Sequence, residues 1–198
     1  MGKVKTALEI ALEKAGKIGG LSQEEKEKKE DEEKVMAVMQ QYFQGKIDSN
    51  GLWQRLKGSK PFQLKIAQIL LIDSLGLGNS QEEFQTRKQG ILAVETLKET
   101  QNTAVIELGL NALEDLQKEY REKKEKVVKD FKRQLEKHPQ LRMQPVRTPD
   151  GKTVMQMSVS VDEAVKARLS DYLTEHEKQY GQEFLSVIEE LKDQVGGC

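Results

Sequence analysis

The side chains best suited to metal binding or nucleophilic chemistry are scarce in this sequence of 198 residues: two histidines and one cysteine. A di-iron bundle takes Glu-x-x-His pairs on inward helix faces. The residues three before His138 and His176 are Leu135 and Leu173, so that pattern is absent. His138 precedes Pro139 and reads as a helix end whose charge complements the dipole. His176 falls in an apolar stripe and reads as a packing position, of a type that titrates near neutral pH. Neither has a visible partner for general acid–base work. Cys198 is the last residue, after Gly196-Gly197. A single cysteine excludes an internal disulfide and a multi-cysteine zinc site. No cofactor motif stands out.

Two further stretches imitate functional motifs. Leu70-Leu71-Ile72-Asp73-Ser74-Leu75-Gly76-Leu77-Gly78-Asn79-Ser80 has the look of a strand, a glycine loop and a helix, as in a phosphate cradle. It lacks the third glycine of a dinucleotide loop and any Gly-Lys-Ser/Thr. The period upstream is helical, so a helix stop is the better reading. Residues 46–75 imitate a helix-turn-helix. A recognition helix needs exposed polar residues for base edges, whereas Phe62-Gln63-Leu64-Lys65-Ile66-Ala67-Gln68-Ile69-Leu70-Leu71 is core-like.

The elements that would position any site are helical. Charged residues make up 33% and aromatics only 5%, the composition of coiled coils and elongated bundles rather than of a large α/β enzyme. Net charge is −1, which gives no bias toward nucleic acid or anionic lipid. No apolar run reaches the 18 residues a membrane span needs. A cytoplasmic protein is the expectation. The opening Met1-Gly2-Lys3-Val4-Lys5-Thr6 fits a loose myristoylation pattern, but Thr6-Ala7-Leu8-Glu9 is a capping box, and a helix start explains it better.

Capping boxes at Thr6, Ser22, Ser80 and Ser160 predict helix starts, and glycines predict stops. The predicted helices are about 7–18, 23–44, 49–57 and 61–75. The second begins as a solvated charge run and buries its apolar end, Val35 to Phe43. In the cluster formed by the next two, Trp53 is the expected anchor. From Ser80 to Lys137 no proline occurs, which predicts one helix of about 57 residues, roughly 85 Å long. Its expected stripe is Val105, Leu108, Ala112, Leu116, Tyr120, Val127, Phe131 and Leu135. A last helix, about 161–195, carries Val165, Leu169, Tyr172, His176, Tyr180, Phe184, Val187, Leu191 and Val195, a three-four alternation typical of a coiled coil.

Between these long helices, Thr148-Pro149-Asp150-Gly151 is strong turn chemistry, flanked by Leu141–Arg147 and the alternating Lys152–Ser160. The expected fold is therefore mainly α. Residues 1–79 form an N-terminal helical segment and cluster. Residues 80–198 form a long antiparallel helical hairpin with a β-hairpin at about 141–160. Lys118–Lys137 holds nine basic and five acidic residues, while Asp162–Asp193 holds nine acidic and four basic. That complementarity favours pairing of the two arms, within one chain or between chains. One arm exceeds the other by about twenty residues, Ser80 to Gln101, a surplus for the N-terminal helices to pack on.

The tip is the strongest candidate site. Met143, Val146, Met155, Met157 and Val159 place adaptable apolar side chains on a hairpin too small to be stable alone. The plain alternative is that they cap the coiled coil. Lys5-Thr6-Ala7-Leu8-Glu9-Ile10-Ala11-Leu12-Glu13-Lys14-Ala15, followed by Leu21-Ser22-Gln23-Glu24-Glu25, resembles the start of an uncharacterised bacterial protein family of unknown function; the resemblance implies a bacterial origin and no activity. The leading expectation is a non-enzymatic interaction or scaffold protein, a homo-oligomer, that presents the hairpin tip or the N-terminal cluster to a protein partner or to a second copy. The alternatives are a chaperone-like holdase, by architectural analogy with prefoldin-type subunits, and an enzyme whose carboxylates meet between the N-terminal cluster and residues 83–116. A polar pocket there would favour the enzyme; a dry apolar seam would remove it.

Overall fold

The computed structural model describes residues 22–138, 143–157 and 160–196. The segments about Thr6 and the termini, with Cys198, lie outside them. The chain is mainly helical: α1 (Gln23–Phe43), α2 (Ser49–Leu56), α3 (Pro61–Asp73), α4 (Gln81–Glu95), α5 (Thr103–Lys137), β1 (Met143–Arg147), β2 (Thr153–Met157) and α6 (Val161–Gly196).

Ser22 caps α1, its Oγ accepting from the Glu25 N–H at 3.2 Å while its own N–H donates to Glu25 Oε2 at 2.7 Å. The charged first half of α1 is largely solvated. Its second half buries only one stripe, Val35, Met39 and Tyr42, and leaves Met36 and Phe43 exposed. Gly45 ends the helix in the left-handed region at φ 67°, where a side chain would be strained.

Asp48 caps α2 by accepting from the Gly51 N–H at 2.7 Å. That phase turns Leu52 and Leu56 inward, and both are buried. Trp53, the expected anchor, lies about 100° further round the helix. It is only half-buried, with Lys57 Nζ 5.1 Å from its ring centroid.

The central element is α3, which packs on α1, α4 and α6. Its sequence is apolar on nearly every side, as a helix surrounded by partners requires. Leu64, Ala67, Leu71 and Ile72 are buried, and so is Gln68. Pro61 sits in the first turn, where its missing N–H costs nothing.

The predicted single helix from Ser80 to Lys137 is broken. It becomes α4 and α5, joined through residues 96–102. After Glu95 the backbone tightens, Leu97 N–H donating to Val94 and Lys98 N–H to Glu95. Thr96 Oγ1 bonds back to the Ala93 carbonyl at 2.7 Å, and the Gln101 amide reaches the Thr96 carbonyl at 3.1 Å. Thr96, Thr100, Asn102 and Thr103 are the kind of residues whose side chains compete with helical backbone bonds. The break lets α4 fold back on α5, α2 and α3. Gly90 lets α4 lie close against Tyr42 of α1: a Cβ there would stand 2.8 Å from Tyr42 Oη. With 35 residues in α5 and 36 in α6, the expected surplus arm does not exist.

α5 and α6 pack antiparallel, as the contacts Gly109–Leu191, Glu119–Tyr180 and Lys132–Asp162 show. The inward stripe of α5 is Ile106, Leu110, Leu113, Gln117, Tyr120 and Leu135. The expected stripe fails in the first turns: Val105 is 41% and Leu108 69% exposed. Both sets have helical spacing, so the sequence pattern fits either. Gly109 decides, because a Cβ there would meet Leu191 Cδ2 at 2.6 Å. Only a glycine lets the helices approach so closely, and that approach turns Leu108 outward.

The main core lies where α1–α4 meet the start of α5 and the end of α6. A small second cluster, Leu135, Val165 and Leu169 with Val127, Val128, Phe131 and Leu173 around them, lies toward the other end. Lys132–Asp162, at 2.5 Å, is the one ion pair joining α5 to α6 among the described residues. The opposed charges of the two arms are otherwise mostly solvated.

Candidate functional site

The candidate tip residues lie on the strand pair, except Val159, which is outside the described residues. β1 and β2 are antiparallel, with Met143 opposite Met157, Pro145 opposite Met155, and Val146 opposite Val154. The turn closes through Thr148 N–H to Lys152 O at 2.8 Å and Gly151 N–H to Thr148 O at 2.9 Å. Gly151 takes φ 78°, the left-handed position that Pro-Asp-Gly supplies. Val154 is 44% exposed. The register pairs Met143 with Met157 and Met155 with Pro145, so the three named methionines occupy two rungs separated by the Gln144–Gln156 rung.

The sequence reading missed a second place. A cleft of about 1010 Å³ opens where the α2–α3 turn, the 96–102 connection and the last turn of α6 converge. Phe62, Leu64, Leu97 and Val195 supply apolar wall; Lys65, Lys98, Gln101, Asn102 and Gln194 supply polar groups. Lys65 Nζ donates to the Gly196 carbonyl at 3.1 Å, and the Asn102 amide donates to Gln194 Oε1 at 3.1 Å. These two bonds tie the end of α6 to α3 and to the start of α5.

Beneath the cleft lies Glu95, buried at 1% exposure. Its Oε1 accepts from the Asn102 N–H at 2.6 Å. Its Oε2 accepts from Gln68 Nε2 at 2.8 Å and from Lys98 Nζ at 3.0 Å. Burial pushes the carboxyl up, but the Asn102, Gln68 and Lys98 donors outweigh it and hold it below the usual carboxylate range. A carboxylate held ionised with both oxygens engaged is poorly suited to take up a proton. It is well suited to hold the N–H of Asn102, the residue at the N-cap of α5, and to complement the helix dipole. The polar cleft thus stands where an enzyme would need it, but the perturbed carboxylate inside it serves the chain turn. Gln68 Oε1 is buried with no hydrogen-bond partner among the described residues.

The imitation motifs resolve structurally. The Gly76 N–H donates to Asn79 Oδ1 at 2.5 Å, and the Gln117 amide caps the Gly76 carbonyl. The loop is thereby anchored to α5. α3 is interior and reads no base edges. His138 is exposed at the end of α5. His176 is buried, stacked on Tyr120 and Tyr172. Among the described residues no three His, Cys, Asp or Glu side chains gather as a metal site. No helix among them is long and apolar enough to cross a membrane.

Residues 49–194 match the family of unknown function DUF6657. The chain belongs to that family. The matched span covers α2 through most of α6, and so both the strand pair and nearly all of the cleft; the opening residues 5–25 lie outside it. No curated protein and no solved structure matches the chain.

Proposed function

We propose that this member of DUF6657 is a non-enzymatic interaction protein. In this reading α5 and α6 form a coiled-coil hairpin that carries the β1–β2 tip to a protein partner. The observation that supports it is the separation of the strand pair from the main core. Beyond Tyr120, α5 continues for about 26 Å at 1.5 Å per residue. Among the described residues the element it packs on over that length is α6, through the small second cluster. An arm of this length contributes little to the stability of the main core, and a two-stranded sheet alone is marginal in water. Both features fit a surface kept for a partner, and methionine side chains adapt to one. A second copy is one such partner; so is an unrelated protein, and a broad holdase range is the alternative.

The test is chemical cross-linking in the native host with the full chain and a Met143→Ser, Met155→Ser, Met157→Ser variant. Loss of a defined cross-linked species at unchanged helicity supports the tip. An unchanged species sinks it. Suppression of aggregation for several unrelated clients would favour the holdase. The cleft, with Phe62 and Leu97 beside Lys98, Gln101 and Gln194, favours a second reading, capture of a small polar ligand. A ligand-induced thermal shift that is lost in Phe62→Ala and kept in the methionine variant would establish it.

A further inference from the structure

The cleft above Glu95 leaves part of an apolar wall open. Phe62 and Leu97 are only half-buried there, beside the buried Leu64 and Val195. At about 1010 Å³ the cleft stands at the top of the roughly 300–1,000 Å³ range of small-molecule pockets, which leaves room for a row of side chains. Its charged lining is Glu95, Glu99 and Asp193 against Lys65 and Lys98. Lys98 is engaged by Glu95 at 3.0 Å, and Lys65 by the Gly196 carbonyl at 3.1 Å. Glu99 and Asp193 are exposed and enter no ion pair among the described residues. An occupant that is apolar on one side and cationic on the other fits this lining.

The chain itself supplies such an occupant through α1. Asp31 Oδ2 accepts from Lys60 Nζ at 2.6 Å, and Lys60 stands between two residues that line the cleft, Ser59 and Pro61. From Asp31 back to Ser22 is about 14 Å along α1 at 1.5 Å per residue, and residues 1–21 precede it. Their sequence predicts a helix over about 7–18. At about 100° per residue, Val4, Leu8, Ala11, Leu12 and Ala15 share one face. Four lysines, Lys3, Lys5, Lys14 and Lys17, against Glu9 and Glu13 make the segment basic. A helix over 7–18 is about 18 Å long. Turned back at Gly19-Gly20, it regains the 14 Å of α1 and brings Leu8 to Leu12 level with Asp31 and Lys60. The acid-rich first half of α1, Glu24 to Lys34, with seven acidic and four basic residues, then runs beside its lysines.

We propose that residues 4–15 dock their apolar face in the cleft, with lysines toward Glu99 and Asp193, so that the chain covers this site with its own segment. The strand-pair tip plays no part in this, and a small ligand taken up by the cleft would have to displace the segment.

A helix of about 12 residues is marginal alone in water, and Gly16 weakens it further, so slow amide exchange over residues 8–15 reports docking. In the full chain these amides should exchange at least about tenfold more slowly than in a Leu8→Asp, Leu12→Asp chain, equivalent to about 1.4 kcal/mol of docking. Phe62→Ser, on the cleft side, should remove most of that protection while the amides of Ala67–Leu71 in α3 stay protected and certify the fold. Equal exchange in the wild-type and Leu8→Asp, Leu12→Asp chains overturns the proposal. Protection that is undiminished in Phe62→Ser also overturns it, because the segment is then held on another face. So does protection that falls on dilution, since a second copy then provides the cover.

Discussion

Removing the Glu95 carboxylate is the sharpest perturbation of how this chain turns. Glu95→Ala deletes the acceptor of three hydrogen bonds, from the Asn102 N–H, Gln68 Nε2 and Lys98 Nζ. Lys98 lines the open cleft and can recover water. Gln68 is fully buried and cannot. Breaking a buried charge pair from one side typically costs 3–5 kcal/mol; with Lys98 rehydrated, roughly 3 kcal/mol is expected. Glu95→Gln is gentler. Its amide oxygen still accepts from Asn102, and rotation of the Gln68 amide aims the presently unpartnered Oε1 at the new NH₂. A cost of about 1–2 kcal/mol follows. The sign with pH is fixed by the lowered carboxyl: its contribution is complete at neutral pH and is lost as pH falls through the usual carboxylate range toward the folded value. Urea unfolding followed by far-ultraviolet circular dichroism, at pH 7 and pH 4, measures both. The Glu95→Gln variant should lose less stability than wild type on acidification. A Glu95→Ala chain within about 0.5 kcal/mol of wild type, or equal costs for the two substitutions, would refute the assignment of Glu95 to the turn.

Leu110→Ala should cost about 2–5 kcal/mol by opening a cavity, whereas Leu108→Ala, on the opposite, exposed face of α5, should stay within about 0.5 kcal/mol; denaturation midpoints separate the two and check which stripe of α5 faces inward. Burial pushes the Tyr42 phenol up to about 12, so its neutral form is favoured by the fold. The stability it contributes is complete below pH 10 and is lost as pH rises toward 12. In a phenolate absorbance titration one of the four tyrosines should ionise late, and Tyr42→Phe should remove that step.

The sequence determined the elements and most of their ends. Ser22, Asp48, Ser80 and Pro61 act through side chains or ring geometry within one turn, so their consequences are local and readable. The Thr148–Gly151 turn is of the same kind. Family membership was also anticipated, although the match covers residues 49–194 and not the opening segment. What the sequence could not decide is which of two equally periodic stripes of α5 turns inward. That choice belongs to Gly109 and Leu191, which stand far apart in the chain. Nor could it place the break after Glu95. Thr96, Thr100, Asn102 and Thr103 disfavour a helix only weakly. The break is settled by what the fold adds: Gln68 from α3 and the Asn102 N–H converging on one buried carboxylate. The tertiary structure likewise made Leu52 and Leu56, and not Trp53, the anchors of α2, and set three tyrosines about His176. Local caps are read within a few residues; packing partners, and the sites they build, exist only once distant helices meet.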